Sequence, residues 1–304
     1  MYLVCSSYGE KMLSYQSANS FPIKLVKNIN WYRGRIIPIH LQFNPTNKCN
    51  MNCSFCSCAD RDISEEILLE TAKHHFQVFK DLGGEAITIT GGGEPTLHPD
   101  IEEMIDFLNN LDIKIGLVTN GAYLDCISNL DKLTWCRVSV NNGFDDKIKD
   151  VINLIPIDWA LSYVMTDDYE KVQKLIDFVN INHLTHIRLV SDIFEPKPIP
   201  KFERDEKVIY QDRTYYTRGG KCYMGLIKPY LNTDGKYYTC CGVQYALPNK
   251  PRKMVEELCL GDDLEKIINE QKIFDGSICD KCYYSQYNDF IDLMLKNYKH
   301  LEFV

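Results

Sequence analysis

No apolar run in the chain approaches the roughly 18 residues that a membrane-spanning helix needs. The first 20 residues lack a basic start followed by an apolar core, so no secretory signal is recognisable. An excess of positive charge is missing too. Lys and Arg number 34 against 42 Asp and Glu, a formal net charge of -8, which speaks against a non-specific nucleic-acid binder. The one local basic group, Lys24, Lys27, Arg33 and Arg35, reads as a solvated face. Internal repeats and low-complexity tracts are absent. With 45% hydrophobic and 25% charged residues, neither disorder nor a coiled coil is indicated, and 304 residues suffice for one large unit and a small one. What the chain has in plenty is cysteine, 13 in all.

With no export signal the chain is expected to be cytoplasmic, in a reducing compartment where closely spaced cysteines mean metal or catalysis rather than disulfides. Cys49, Cys53 and Cys56 follow an apolar run at 36–43 with the spacing C-x3-C-x2-C. Three thiolates so close together can hold three corners of a cubane iron–sulfur cluster and leave its fourth iron without a protein ligand. A zinc knot or a chance group of buried thiols is the structural alternative.

From residue 36 onward, β-rich runs at 36–43, 86–90, 114–119, 136–140, 160–164 and 186–190 alternate with amphipathic stretches. This is the pattern of parallel βα units. The helix after the first run is expected to start at Asp62 or Ser64, to bury Ile67, Leu68, Ala72, His75, Phe76 and Phe79, and to stop at Gly83-Gly84. Six such units give an α/β fold, a partial (β/α)6 TIM-like barrel, whose working residues lie on the loops after the strands. The second run ends in Thr90-Gly91-Gly92-Gly93-Glu94-Pro95, where glycines permit close backbone approach and proline fixes the chain direction. A proline-rich, charged segment at 195–207 breaks the pattern and reads as a boundary. The expected organisation is an N-terminal extension at 1–35, the barrel at 36–200 and a cysteine-rich C-terminal domain at 201–304.

The cysteine triad, with Phe55 before its last member, and the Gly92-Gly93-Glu94-Pro95 turn one βα unit later together resemble the radical S-adenosylmethionine (SAM) superfamily. That resemblance implies a [4Fe-4S] cluster on Cys49, Cys53 and Cys56 with SAM on its open iron. It implies that Gly92, Gly93, Glu94 and Pro95 meet the SAM amino group, that Ser139 and Asn141 lie at the ribose, and that Phe55 packs near the adenine. The chemistry it implies is reductive cleavage of SAM to a 5'-deoxyadenosyl radical that abstracts a substrate hydrogen, in a site that excludes water. The electron would come from an external donor such as a flavodoxin or ferredoxin.

In the last third, Cys222, Gly235 and Cys240 are followed by Cys279 and Cys282. The turn Asn232-Thr233-Asp234-Gly235 between tyrosine-rich runs predicts a hairpin that brings Cys222 toward Cys240. The spacing resembles the opening of the SPASM and Twitch extensions of radical SAM enzymes, and with no cysteine after Cys282 it matches the shorter Twitch form. Four thiolates here imply one auxiliary [4Fe-4S] cluster, with zinc as the open alternative. Cys241 is an alternative ligand to Cys240, and either Cys241 or Cys58 is a candidate hydrogen donor or an incidental thiol. Cys5, Cys126, Cys136 and Cys259 read as packing residues.

The expectation is therefore a radical SAM enzyme that oxidises a carbon centre of a polar metabolite or sugar derivative. Epimerisation through a cysteine donor, peptide modification and a non-catalytic metal-binding scaffold are the alternatives. A peptide substrate is disfavoured because only about 40 residues precede the first strand, short of a small domain. Tyr163, Arg188, Asp192, Tyr237 and Tyr238 are substrate candidates by position.

Overall fold

A computed structural model describes residues 27, 29–30, 35–215, 217, 219–244, 256–279 and 281–296. Cys5, Lys24 and Arg33, like most of the expected N-terminal extension, lie outside the described residues.

Seven strands follow one another as parallel neighbours: β1 (His40–Phe43), β2 (Ala86–Ile89), β3 (Lys114–Thr119), β4 (Trp135–Ser139), β5 (Asp158–Val164), β6 (His186–Val190) and β7 (Val208–Gln211). Alternate residues of the early strands, such as Leu41, Phe43, Ile87 and Ile89, are fully enclosed. The crossovers bury them with helices α1 (Leu69–Asp81), α2 (Ile101–Asn110), α3 (Asp146–Leu154) and α4 (Tyr169–Ile181). This is the α/β partial barrel that the alternating pattern predicts. Between β3 and β4 the crossover is two 3-10 turns, Leu124–Cys126 and Leu130–Lys132, instead of an α-helix.

The sheet runs one strand past the six expected. β7 lies beyond the proline-rich segment and pairs with β6. It is four residues long, and the chain reaches it through a single 3-10 turn, Asp205–Lys207, and no α-helix, so neither the strand nor its crossover shows in the periodicity.

Helix α1 also departs from expectation at its start. Leu68 precedes it with no side-chain cap and is exposed. The Asp62 carboxylate instead accepts the Ser64 N–H and hydroxyl at 2.9 and 2.6 Å, a local turn of the kind that competes with helix. Ala72, His75, Phe76 and Phe79 form the buried face as expected, with Phe76 edge-on to Phe43 at 5.0 Å. The helix ends at Gly83, whose φ of 93° suits glycine, and the Gly84 N–H returns to the Phe79 carbonyl.

The C-terminal part attaches to the opposite edge of the same sheet. β9 (Tyr230–Leu231) pairs in parallel with β1, followed by β10 (Tyr237–Tyr238) and β11 (Cys259–Gly261), making ten strands. The predicted hairpin is β9–β10, turning at Gly235 with φ of 72°. His75 of α1 holds it through the Tyr237 hydroxyl, 2.9 Å from Nδ1. A small antiparallel ladder, β8 (Lys221–Cys222) with β12 (Phe274–Asp275), and helices α5 (Met224–Ile227), α6 (Leu264–Glu270) and α7 (Ser285–Met294) complete this part. Among the described residues no helix is long and apolar enough to cross a membrane.

Candidate functional site

The chain leaves β1 through four residues, 44–47, that are buried although three are polar. Buried amides need partners, and these form the floor of the cysteine loop. The loop closes on itself through the Cys56 N–H to the Cys53 carbonyl, 3.1 Å, and the Ala59 N–H to the Cys56 carbonyl, 3.2 Å. Arg61 straps it: Nε donates to the Asn47 carbonyl at 2.8 Å, and Nη1 reaches the Cys58 carbonyl at 2.7 Å and the Cys56 Sγ at 3.7 Å. Two strand ends touch it from the side. Asn120, after β3, donates to Asn50 Oδ1 at 2.7 Å, and Asn142, after β4, donates to Cys53 Sγ at 2.7 Å and approaches Met51 Sδ at 3.1 Å.

Cys49, Cys53 and Cys56 are all partly buried, and burial raises the Cys49 thiol above its ordinary pKa. Such a thiol becomes a thiolate readily only beside positive charge, which a metal cluster supplies.

The glycine turn after β2 lies against this loop, and its backbone is already committed. The Gly92 N–H donates to Asn44 Oδ1 at 3.1 Å, the Gly93 N–H to the Thr46 carbonyl at 3.0 Å and the Glu94 N–H to the Lys48 carbonyl at 2.7 Å. What the turn has left to offer a ligand is carbonyl oxygen, an acceptor suited to a protonated amine. A Cβ on Gly93 would stand 2.0 Å from the Lys48 carbonyl oxygen, so the close approach for which glycine is needed is to the cysteine loop itself.

Glu94 is a strut. Its Oε1 accepts the Thr96 N–H, the Thr96 hydroxyl and the Thr119 hydroxyl at 3.1, 2.8 and 2.6 Å, and its Oε2 accepts the Asn120 N–H at 2.6 Å. Burial raises its pKa and the four donors oppose that rise. The carboxylate thus ties the end of β2 to the end of β3, and Pro95 opens the 3-10 turn it caps.

Ser139 closes β4 at partial burial, and Phe55 is half-buried in the cysteine loop. The Asn141 amide pairs with the backbone of Val164, donating to its carbonyl at 2.7 Å and accepting its N–H at 2.8 Å. It locks two strand ends together at the position expected for the ribose. A cavity of about 120 Å³ lies beside Met51, between Asn120-Gly121 and Asn142-Gly143. A larger cleft of about 840 Å³, formed by Tyr169, Gln173 and 198–203, is on the proline-rich segment, away from the cysteines.

The four C-terminal motif cysteines come from three places, Cys279 and Cys282 sharing one segment. Cys222 is on β8, opposite Phe274, and Cys240 follows β10. The Gly219 N–H donates to the Cys279 carbonyl at 2.9 Å, and the Cys282 N–H to the Thr217 carbonyl at 2.7 Å. Burial pushes the Cys222 thiol up to about 12 and raises those of Cys240 and Cys282, and the neighbouring thiols Cys279 and Cys282 add to the effect at Cys222. The Cys240 Sγ accepts the Gly242 N–H at 3.4 Å, while Cys241, next in the chain, lies within electrostatic reach of Cys58 and Cys282.

Cys58 is buried, and that burial pushes its thiol up to about 12. Among the described residues, no three His, Cys, Asp or Glu side chains converge closely enough to hold a single metal ion. The thiolates of a cubane each bind a different iron and need no common point.

Of the cysteines read as packing residues, Cys136 is fully enclosed and Cys259 packs against the C-terminal apolar cluster, but Cys126 is exposed on a 3-10 turn. Tyr237 is enclosed and bound to His75, and Tyr238 donates to Asp234 at 2.7 Å; both serve the hairpin. Tyr163 is buried with its hydroxyl at Thr166, and Asp192 accepts the Phe194 N–H. Arg188 lies on the strand face opposite Ile187 and Leu189 and donates to the Ser162 hydroxyl from Nε and Nη2 at 3.3 and 3.2 Å. Asn120 and Asn142 belong to the polar strand ends 119–121 and 139–142, which in the sequence resemble the cofactor-facing strand ends of the superfamily. Arg61 and the buried Asn44 and Asn47 carry no such signal.

The model of the radical SAM superfamily matches residues 43–177. A probable GTP 3',8-cyclase of Archaeoglobus fulgidus is 27% identical over 199 residues, 56% of this chain and 64% of that protein. An S-adenosylmethionine-dependent nucleotide dehydratase of Flammeovirga pacifica is 33% identical over 35% of this chain and 39% of its own length. The chain thus spans less than two thirds of these relatives. Among solved structures, Streptococcus suis SuiB bound to the precursor peptide SuiA has a TM-score of 0.60 at 16% identity, covering 86% of this chain and 72% of that one. Native anSMEcpe with bound AdoMet and a peptide has a TM-score of 0.55 at 14% identity, covering 87% and 86%. At such identities the likeness concerns the fold.

Proposed function

We propose that the chain is a radical SAM enzyme, binding a [4Fe-4S] cluster and SAM, that oxidises a carbon centre of a polar metabolite or sugar derivative. Cys49, Cys53 and Cys56 hold the cluster that carries SAM. Cys222, Cys240, Cys279 and Cys282 hold one auxiliary [4Fe-4S] cluster in a Twitch-like C-terminal unit. Bound there, the cluster and SAM supply one-electron chemistry that ends in loss of a hydrogen atom from a substrate carbon.

The observation that carries the reading is the glycine turn. With the N–H groups of Gly92, Gly93 and Glu94 spent on Asn44, Thr46 and Lys48, its carbonyl oxygens suit the SAM amino group beside the open iron. Glu94 holds that turn in register with β3, and Pro95 fixes its exit. Ser139 and the unused capacity of the Asn141 amide serve the ribose, and Phe55 the adenine. Asn142 and Arg61 place N–H donors on Cys53 and Cys56, which tunes the thiolates.

Four thiolates leave no open position at the auxiliary site, which suits passing an electron rather than binding substrate and favours oxidation. Two relatives carry a nucleotide in their names, in keeping with a polar substrate that Arg188 would meet on the inner strand face. The electron enters from a flavodoxin- or ferredoxin-like donor, and the protein works in the cytoplasm.

Anaerobic reconstitution tests this: about eight irons per chain, as two cubanes require, and 5'-deoxyadenosine on reduction with SAM are expected. No 5'-deoxyadenosine would sink it. Epimerisation is the second reading, because Cys58 and Cys241 lie within electrostatic reach of one another between the two cysteine sets. If Cys58→Ala or Cys241→Ala still yields 5'-deoxyadenosine but an altered product, that thiol returns the hydrogen atom; an unchanged product leaves oxidation.

A further inference from the structure

The glycine turn is held by more than the barrel. Asn44, fully buried at the end of β1, is held at both ends of its amide: Oδ1 accepts the Gly92 N–H, and Nδ2 donates to Asn47 Oδ1 at 2.9 Å and to Asn232 Oδ1 at 3.0 Å. Asn232 is 188 residues away in sequence, at the hairpin turn of the C-terminal part. The same Asn232 oxygen accepts a second hydrogen bond, from Gln244 Nε2. Gln244 ends the 3-10 turn Cys241–Gln244, directly after Cys240. Its own oxygen returns to the glycine turn, since a Cβ on Gly92 would meet Gln244 Oε1 at 2.9 Å and Asn47 Oδ1 at 2.3 Å.

An unbroken amide chain therefore runs from the auxiliary cysteine turn to Gly92. Every member has a fixed role, because a buried amide left unmatched costs more than the bond it loses.

We propose that Gln244 and Asn232 are positioning residues for SAM, so that the C-terminal part completes the cofactor site built on the barrel. The inference rests on the reading of the glycine turn as the SAM amino-group contact. Gln244 sets the donor that orients Asn232, Asn232 sets the donors of Asn44, and Asn44 fixes the peptide of Gly92 whose neighbouring carbonyls face the ligand. By linkage, SAM bound at the turn stabilises the cysteine turn in return.

The test measures SAM affinity of the anaerobically reconstituted full chain, together with the electron paramagnetic resonance spectrum of its reduced cluster with and without SAM. Gln244→Glu keeps shape but replaces the donor by an acceptor facing Asn232 Oδ1, and Gln244→Ala removes the amide. Both are expected to bind SAM about tenfold more weakly, with iron content unchanged. Asn232→Ala removes the shared acceptor and is expected to weaken SAM binding to the same degree. Parent-like affinity in both Gln244 variants overturns the proposal, as does parent-like affinity in Asn232→Ala. Should Gln244→Glu fail to retain iron, Gln244→Ala decides. A parent protein whose cluster spectrum ignores SAM would overturn the reading of the glycine turn instead.

Discussion

At the scale of single residues, the site is built by close approach and by saturating polar atoms. Gly93 shows the first. Its neighbour is the backbone carbonyl of Lys48, which cannot swing aside as a side chain would, so Gly93→Ala must part the glycine turn from the cysteine loop. Such overpacking costs about 1–3 kcal/mol. The variant should fold but lose SAM-dependent formation of 5'-deoxyadenosine while keeping its iron; undiminished turnover would show that the two loops tolerate separation. Glu94 shows the second, with four donors on one buried carboxylate. Cys49, Cys53, Cys56 and this turn are legible from sequence because their spacing is local. Arg61 is not, since nothing around it says that its side chain ends on Cys56, and Asn142 is legible only as a polar strand end, without its contact to Cys53.

Among the elements, strands were the most legible, since alternating β-rich runs give a period that survives burial. Caps were less so: Asp62 and Ser64 carry the chemistry of a helix start yet bond to one another, and α1 begins later without a side-chain cap. Helix α7 makes an element-scale prediction. Its Asp292 accepts the Tyr223 hydroxyl at 2.7 Å and Lys221 Nζ at 2.9 Å, beside Cys222, and lies 3.2 Å from Lys296. These partners, Tyr223 first, hold its carboxyl well below the ordinary carboxylate range. A carboxylate with a depressed folded pKa adds stability above its unfolded pKa, and that contribution fades as pH falls toward the folded value. Asp292→Asn should therefore lower the thermal midpoint at neutral pH, and the gap to the parent should narrow as pH drops through and below about 4. A gap constant with pH would show that Asp292 acts by shape alone.

For the whole molecule, one ten-stranded sheet joins the barrel to the cysteine-rich part, because β9 adds to β1 on the edge opposite β7. If the two cysteine sets hold separate clusters, Cys282→Ala should lower iron toward about four per chain and abolish product while 5'-deoxyadenosine still forms. Loss of both products would mean that the auxiliary site is needed for SAM cleavage itself. The sequence alone determined the parallel α/β plan, the two cysteine sets, the glycine turn and the hairpin at Gly235, since each is a pattern over a few dozen residues set by pleat, turn chemistry or ligand spacing. Tertiary structure alone decided which edge of the sheet the C-terminal part takes and that a seventh strand closes the other. It also decided that Asn44, Asn232 and Gln244 meet at Gly92. The edge taken and the amide meeting rest on pairing between segments nearly two hundred residues apart, where each amide looks like any other polar residue until its partner arrives, whereas β7 pairs with its near neighbour β6 and is too short to show a period.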